Sequence, residues 1–255
     1  MIDLFSKKEW KNDKYIIGIA DTPEEIDEIL ELRYDVFNTE LKEGIKENDK
    51  THRDVDKFDS VCEYLMIKDL EIGKIIATYR IHPSWKMHKD GFYTSTEFDI
   101  SSLKLDKIRS IEVGRACVRP DHRVGSLLVP MLWFGFKRYC EKNKVEALFG
   151  VASIPKCSAK ELTALYNDLV AKGALVDDGR VIPLPGYEVK LAKNAPKKYR
   201  KELLGSLIKG YIKMGGKLLG RPIFDPVFEC YDLFVLLEMK DANWAFIDSF
   251  SKLFS

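Results

Sequence analysis

The stretch "EVGRACVRPDHRVGSLLVPMLW" (112–133) begins as a strand and ends as a helix, and its reading decides the fold. Glu112 and Arg115 stand among apolar residues in the strand part, and Arg123-Val124-Gly125-Ser126 runs straight into an apolar segment. Residues three apart on a regular strand point to opposite faces, so Glu112 and Arg115 should diverge. A β-bulge near Val113-Gly114 would bring both to one side and leave backbone N–H groups unpaired for a ligand carbonyl. The turn leads into a helix N-terminus, where free N–H groups and the macrodipole favour phosphate or pyrophosphate. Gly125 permits close approach of such a ligand to the backbone. An ordinary strand-to-helix corner with a surface ion pair fits the same pattern, and one glycine does not separate the two.

Outward from this stretch the chain alternates strand and helix signals. Upstream, "DTPEEIDEILELRYDVFNTEL" starts with Thr22 as N-cap, Pro23 in the first turn and Glu25 closing a capping box. Its apolar stripe, Ile26, Ile29, Leu30, Phe37 and Leu41, has the spacing of one helical face and includes Arg33, whose guanidinium needs a partner there. "VCEYLMIKD" and "GKIIATYRIHP" read as an antiparallel hairpin turning at Leu70 to Gly73, and "SIEVGRACV" as the next strand. Downstream, "VEALFGVASI" is apolar on both faces, which suits a central strand parallel to the previous one. "SAKELTALYNDLVAKG" is a capped helix from Ser158 with Glu161 to Gly173. "KELLGSLIKGYIKMGGKLLG" reads as a helix weakened by glycines, and "CYDLFVLLEM" as a late strand. The expectation is one mixed α/β domain over 1–255, with a C-terminal helix-plus-strand elaboration from about 195.

Composition narrows the function. With 32 % charged and 45 % hydrophobic residues the chain is globular, and a net charge of +1 argues against a dedicated nucleic-acid binder. Five scattered cysteines without a C-x-x-C pair read as reduced thiols in a cytoplasmic protein, and no metal-ligand spacing occurs among four histidines. The first residues lack the apolar core of a secretory signal, and no apolar run has the length of a transmembrane helix. Contact with a membrane surface stays open.

Several segments, in order, are similar to one family. These are "LRYDVFNTEL" (32–41), "DKFDSVCEYLMI" (56–67), "GKIIATYRIHP" (73–83), "GFYTSTEFDIS" (91–101), "EVGRACVRPDHRVGSLL" (112–128) and "LFGVASI" (148–154). They resemble the GNAT-type N-acyltransferases, within them the ornithine-lipid (ornithine–acyl-carrier-protein) N-acyltransferases, also called hemolysin-like proteins. These are relatives of the acyl-homoserine-lactone synthases. "LIKGYIKMGGKLLGRPIFDPVF" and "YDLFVLLEM" (207–239) resemble the C-terminal segment that the lactone synthases lack. An aromatic residue of the lactone synthases is absent where Thr39-Glu40-Leu41 stand, which argues against S-adenosylmethionine as a substrate.

The resemblance implies a GNAT-like mixed sheet flanked by helices, and transfer of a (3-hydroxy)fatty acyl group from a thioester to the α-amine of a small amino acid such as ornithine. It implies Glu112 as general base with Arg115 beside it. Backbone N–H groups about Val113, Cys117 and Val118 would polarise the thioester. Those of Arg123, Val124, Gly125, Ser126, Leu127 and Leu128 would hold the phosphate of phosphopantetheine or the pyrophosphate of coenzyme A. Arg33, Asp56, Asp59 and Arg80 would receive the amino acid, or else form a buried salt-bridge network. No permanently bound cofactor is expected; the donor is acyl carrier protein or acyl-CoA. Acyl carrier protein would dock on basic residues such as Lys137, Arg138, Lys142, Lys144, Lys197, Lys198, Arg200 and Lys201. Cys117 and Cys157 are expected to pack rather than carry acyl groups. The tail places Trp244, Ile247, Phe250 and Phe254 at helical spacing, to cap the core or rest on a bilayer. Rival readings are a GNAT acetyltransferase using acetyl-CoA on a small amine or protein lysine, and a non-catalytic acyl-binding or membrane-associated protein.

Overall fold

The computed structural model describes residues 8–123 and 127–251. The chain forms two compact units, one within Met1–Lys86, Val113–Val145 and Trp244–Ser255, the other within Met87–Glu112 and Glu146–Asn243.

The first unit opens on β1 (Lys8–Lys11) and β2 (Tyr15–Ile19), continues through α1 (Pro23–Tyr34), and adds the hairpin β3 (Glu63–Asp69) and β4 (Lys74–Pro83). These four strands pair antiparallel in sequence order. The strand signal of "YIIGI" was passed over in the sequence, whereas the hairpin, with Gly73 at φ +67°, stands where expected. Alternation along β3 explains the layering. Tyr64 and Met66 pack with Ile29, Leu32 and Val36 of the α1 region, while Leu65 lies under Gly135 on the helix described below. Both faces of β3 are therefore covered.

Thr22 caps α1 as expected, but Glu25 accepts from the Asp21 N–H rather than from Thr22. The helix also stops earlier than its apolar stripe implies. Residues 35–40 widen into a π turn, burying Val36 and leaving Leu41 44 % exposed.

The second unit holds the short β5 (Phe98–Asp99), and β6 (Ser110–Val118) runs from this unit back into the first. The helix after it, α2 (Leu128–Asn143), belongs to the first unit and packs on β1 to β4. Then follow β7 (Ala147–Ile154), α3 (Ala159–Ala171), β8 (Leu175–Val176), β9 (Ile182–Pro183), α4 (Ser206–Lys213), β10 (Lys217–Asp225) and β11 (Cys230–Glu238), all in the second unit. Here β11 pairs antiparallel with both β7 and β10, and β8 joins β10 in parallel. Phe92, Phe98, Phe149 and Phe234 centre its core. Finally α5 (Trp244–Ser251) returns to the first unit and packs on α2 with Ile247 fully buried, so over this span the tail caps a core; Phe254 lies outside the described residues.

Two further sequence expectations need correction. The glycine-bearing helix expected over 201–220 is in fact short: it runs Ser206–Lys213, and "KLLG" opens β10. Gly215, at φ +95° with the Asp241 carbonyl 2.5 Å from where a Cβ would sit, turns the chain there. The irregularity expected near Val113-Gly114 falls one residue later, because Arg115 itself adopts φ +51° inside β6. A left-handed residue breaks a strand's two-residue alternation as a bulge does.

Candidate active site

Glu112 is 95 % buried, and its carboxylate is fixed by three donors of the second unit. The Tyr93 N–H donates to Oε2 (2.8 Å), while the Thr94 N–H (2.6 Å) and Thr94 hydroxyl (2.5 Å) donate to Oε1. All come from the turn that carries "GFYTSTEFDIS", a segment to which the sequence assigned no role. Three residues on, Glu97 closes the turn by donating its N–H to the Thr94 carbonyl (3.1 Å). Its side chain meets Asp225 at the end of β10 and Asp232 on β11. One carboxylate oxygen from each of the three lies within 4.8 Å of the others. Burial first, and then the negative charge of Asp232, push the Glu97 carboxyl up to about 9. Nothing in the sequence marked this cluster, since its members lie far apart along the chain.

The charges of the first unit form a network of three arginines and three aspartates. Arg33 is fully buried: Nε donates to Asp54 Oδ2 (2.8 Å) and Nη1 to Asp59 Oδ1 (2.9 Å). Arg80 Nη1 donates to Asp56 Oδ2 (2.7 Å) and to Asp59 Oδ1 (3.3 Å), and Arg115 Nη2 donates to Asp56 Oδ2 (3.3 Å). Asp56 is the N-cap of a 3₁₀ turn (Lys57–Val61) whose reciprocal capping box with Asp59 presents both carboxylates to the arginines. The Tyr64 hydroxyl adds a bond to Asp59 Oδ1 (3.0 Å). Burial alone would raise the Asp59 carboxyl, but the Arg33 and Arg80 guanidinium groups hold it well below the usual carboxylate range. Asp56 is lowered in the same way by Arg80 and Arg115.

Of the four residues expected to receive an amino acid, Arg33 and Asp59 are thus central to the buried network, which was the alternative left open. Asp54, missed in the sequence, is equally central and fully buried. Asp56 and Arg115, with side chains 12 % and 9 % exposed, are the members nearest solvent.

On β6, Val113 and Cys117 are buried and Val118 is half-buried. Burial pushes the Cys117 thiol up to about 12, which keeps it protonated and unsuited to attack. Arg123 donates from Nε to the Val118 carbonyl (2.9 Å) and clasps the Glu40 carboxylate through both terminal nitrogens. Val124, Gly125 and Ser126 lie outside the described residues. Leu127 stands at the N-cap position of α2 with no side-chain cap, and Leu128 is the first helical residue. Several of the basic residues following this turn are already paired, Lys137 with Asp248, Arg138 with Glu141 and Arg200 with Glu161. No helix among the described residues is long and apolar enough to cross a membrane.

Comparison with known proteins places these parts. Residues 32–133 match the family described as "Acetyltransferase (GNAT) domain". Among solved structures, FeeM, an N-acyl amino acid synthase from uncultured soil microbes, aligns with a TM-score of 0.55 at 10 % identity, over 91 % of this chain and 96 % of that one. BjaI, a CoA-dependent acyl-homoserine lactone synthase, aligns with a TM-score of 0.54 at 12 % identity over 94 % and 89 %. At such identities these likenesses speak for the fold, a GNAT-type acyltransferase fold. The L-ornithine N(alpha)-acyltransferase of Brucella abortus is 31 % identical over 91 % of this chain and 86 % of its own length. The enzyme of the same name from Agrobacterium fabrum is 31 % identical over 90 % and 82 %. The chain belongs to the L-ornithine N(α)-acyltransferase family.

Proposed function

We propose that this chain forms an amide between a fatty acyl group, carried as a phosphopantetheine thioester, and the α-amine of L-ornithine. The observation that carries the reading is Glu112, a buried strand carboxylate locked by three donors. It occurs in a chain whose relatives are named for ornithine N(α)-acylation. Glu112 takes a proton from the α-ammonium, directly or through water, and the freed amine attacks the thioester carbonyl. The new C–N bond forms as the oxyanion develops, and backbone N–H groups within 113–118 stabilise that charge. The C–S bond then breaks, and the pantetheine sulfur leaves with a proton as the thiol. N–H groups along 123–128 hold the carrier phosphate at the uncapped start of α2. Arg33, Asp54 and Asp59 fix the network whose members nearest solvent, Asp56 and Arg115, meet the acceptor, with Arg80 bonded behind them to Asp56.

Acyl carrier protein is the donor form in this reading, and exposed Lys197, Lys198 and Lys201 supply positive charge toward an acidic carrier. The reaction belongs at the cytoplasmic surface of the inner membrane, where an aminolipid product partitions. The test is mass spectrometry of reactions containing 3-hydroxyacyl carrier protein and a panel of amino acids. Wild-type protein yields acyl-ornithine, and Glu112→Gln lowers kcat by about 10²- to 10⁴-fold while keeping its melting temperature. No acyl-amino-acid product beside an active control refutes the proposal. Stabilisation by coenzyme A but not by holo carrier protein favours the acetyl-CoA alternative.

A further inference from the structure

The buried carboxylate cluster of the second unit is not used by the steps above. Glu97, Asp225 and Asp232 are each 2–3 % exposed, and no lysine, arginine or histidine side chain among the described residues pairs with Glu97 or Asp225. Glu97 Oε2 is sealed from solvent and has no hydrogen-bond partner among the described residues. A buried carboxyl oxygen left without a partner in this way, on a group that keeps its proton while the site is empty, marks a place that a charged donor can fill as that proton leaves. The groups facing Glu97 are Asp232, Tyr93, Asp225 and Glu112, so the space is strongly favourable to a cation.

We propose that Glu97, Asp225 and Asp232 receive the side-chain ammonium of the amino-acid acceptor and thereby select a diamino acid over a neutral one. The inference rests on the amide-forming reading given above. An ammonium has three N–H donors and no acceptor, which matches three carboxylates offering one oxygen each. A divalent ion fits less well, because a calcium shell takes six to eight oxygens. In addition, Asp225 Oδ1 already accepts from the Val227 (2.6 Å) and Phe228 (3.1 Å) N–H groups. The cluster is also tied to the reaction centre by one turn: Tyr93 and Thr94 hold Glu112, and Glu97 closes the same turn. Four residues of 3₁₀ turn rise about 8 Å. The two nitrogens of ornithine, joined through five single bonds, lie about 6 Å apart when extended. A site that buries the charge rejects an acceptor without one, since the carboxylates are then left unmatched.

The experiment compares L-ornithine with L-norvaline, which keeps the carbon chain and lacks the second amine. With 3-hydroxyacyl carrier protein as donor, wild-type kcat/KM favours ornithine by about 10²-fold or more, and Glu97→Gln and Asp232→Asn each cut that ratio at least about tenfold. Without donor, ornithine raises the melting temperature of wild-type protein, norvaline does not, and Glu97→Gln abolishes the shift. Equal use of both amino acids by wild-type protein overturns the inference and leaves the acyltransferase reading intact. If no amide forms with any acceptor, the reaction assignment falls, and the thermal shifts still decide the cluster. Stabilisation by Mg²⁺ or Ca²⁺ alone, lost in Glu97→Gln, also overturns the inference in favour of a metal. Should Asp232→Asn fail to fold, the isosteric Glu97→Gln decides.

Discussion

A carboxylate that must take a proton at one point in space gains from being unable to swing. Glu112 is held at both oxygens, and its third donor, the Thr94 hydroxyl, belongs to a fully buried residue. Thr94 therefore acts as a positioning residue. Thr94→Val removes one hydrogen bond to a charged group and lowers kcat about tenfold, equivalent to ~1.4 kcal/mol, while the KM for the acceptor changes little. Thr94→Ser restores the rate. Steady-state kinetics of the two variants decide the matter: an unchanged kcat in Thr94→Val means that the backbone donors suffice. Glu112 itself was legible because a lone acid in an apolar strand is conspicuous. Its holders were not, since two of the three bonds come from backbone N–H groups, which any sequence would supply.

Arg33 of α1 is tied by charge to Asp54 and, in the 3₁₀ turn at Lys57–Val61, to Asp59. Three guanidinium groups and three carboxylates cancel, so removing one leaves a buried charge uncompensated. Arg33→Ala costs about 3–5 kcal/mol of unfolding free energy, read as a fall in the urea midpoint at constant slope. A loss below ~1 kcal/mol would mean that water replaces the guanidinium, against its full burial. Arg33 on the apolar stripe announced a buried partner in the sequence, and Asp59 was identified as one of two candidates. Asp54 escaped notice because it precedes the turn that presents the other two. The end of α1 escaped as well: the stripe through Leu41 satisfies an α-helical period, and the π turn is a backbone choice with no residue signature here. Arg115 is a similar case, because an arginine at φ +51° is held there by its bonds to Asp56 and not by any local preference.

Across the whole chain the two units carry buried carboxylates of opposite habit, and this sets a pH optimum for stability. In the first unit Asp56 and Asp59 are held below their ordinary range despite burial, because arginines flank them. Below about pH 4 the unfolded chain binds protons that these groups refuse when folded, so stability falls as pH falls. In the second unit Glu97, raised to about 9 by burial beside Asp232, Asp225 and Glu112, keeps a proton that the unfolded chain has released. From about pH 4 upward this carboxyl makes stability fall as pH rises, and the maximum lies between about pH 4 and pH 5. The general order of strands and helices and the mixed α/β class could be read from periodicity, which is local. The opposed titrations could not, because each depends on residues brought together from distant parts of the chain. Melting temperature followed by circular dichroism, without added amino acid, declines from pH 5 to pH 8 in wild-type protein, and Glu97→Gln flattens that limb. The acid limb below pH 4 is the same in both. Stopping at pH 8 keeps the buried Cys117 and Cys140 thiols, each pushed up to about 12, from adding a loss of the same sign. Parallel curves for the two proteins between pH 5 and pH 8 would remove Glu97 as the cause. Convergence of the curves towards about pH 4, where Glu97 is protonated in the fold and largely so when unfolded, would tie the alkaline limb to this single carboxyl.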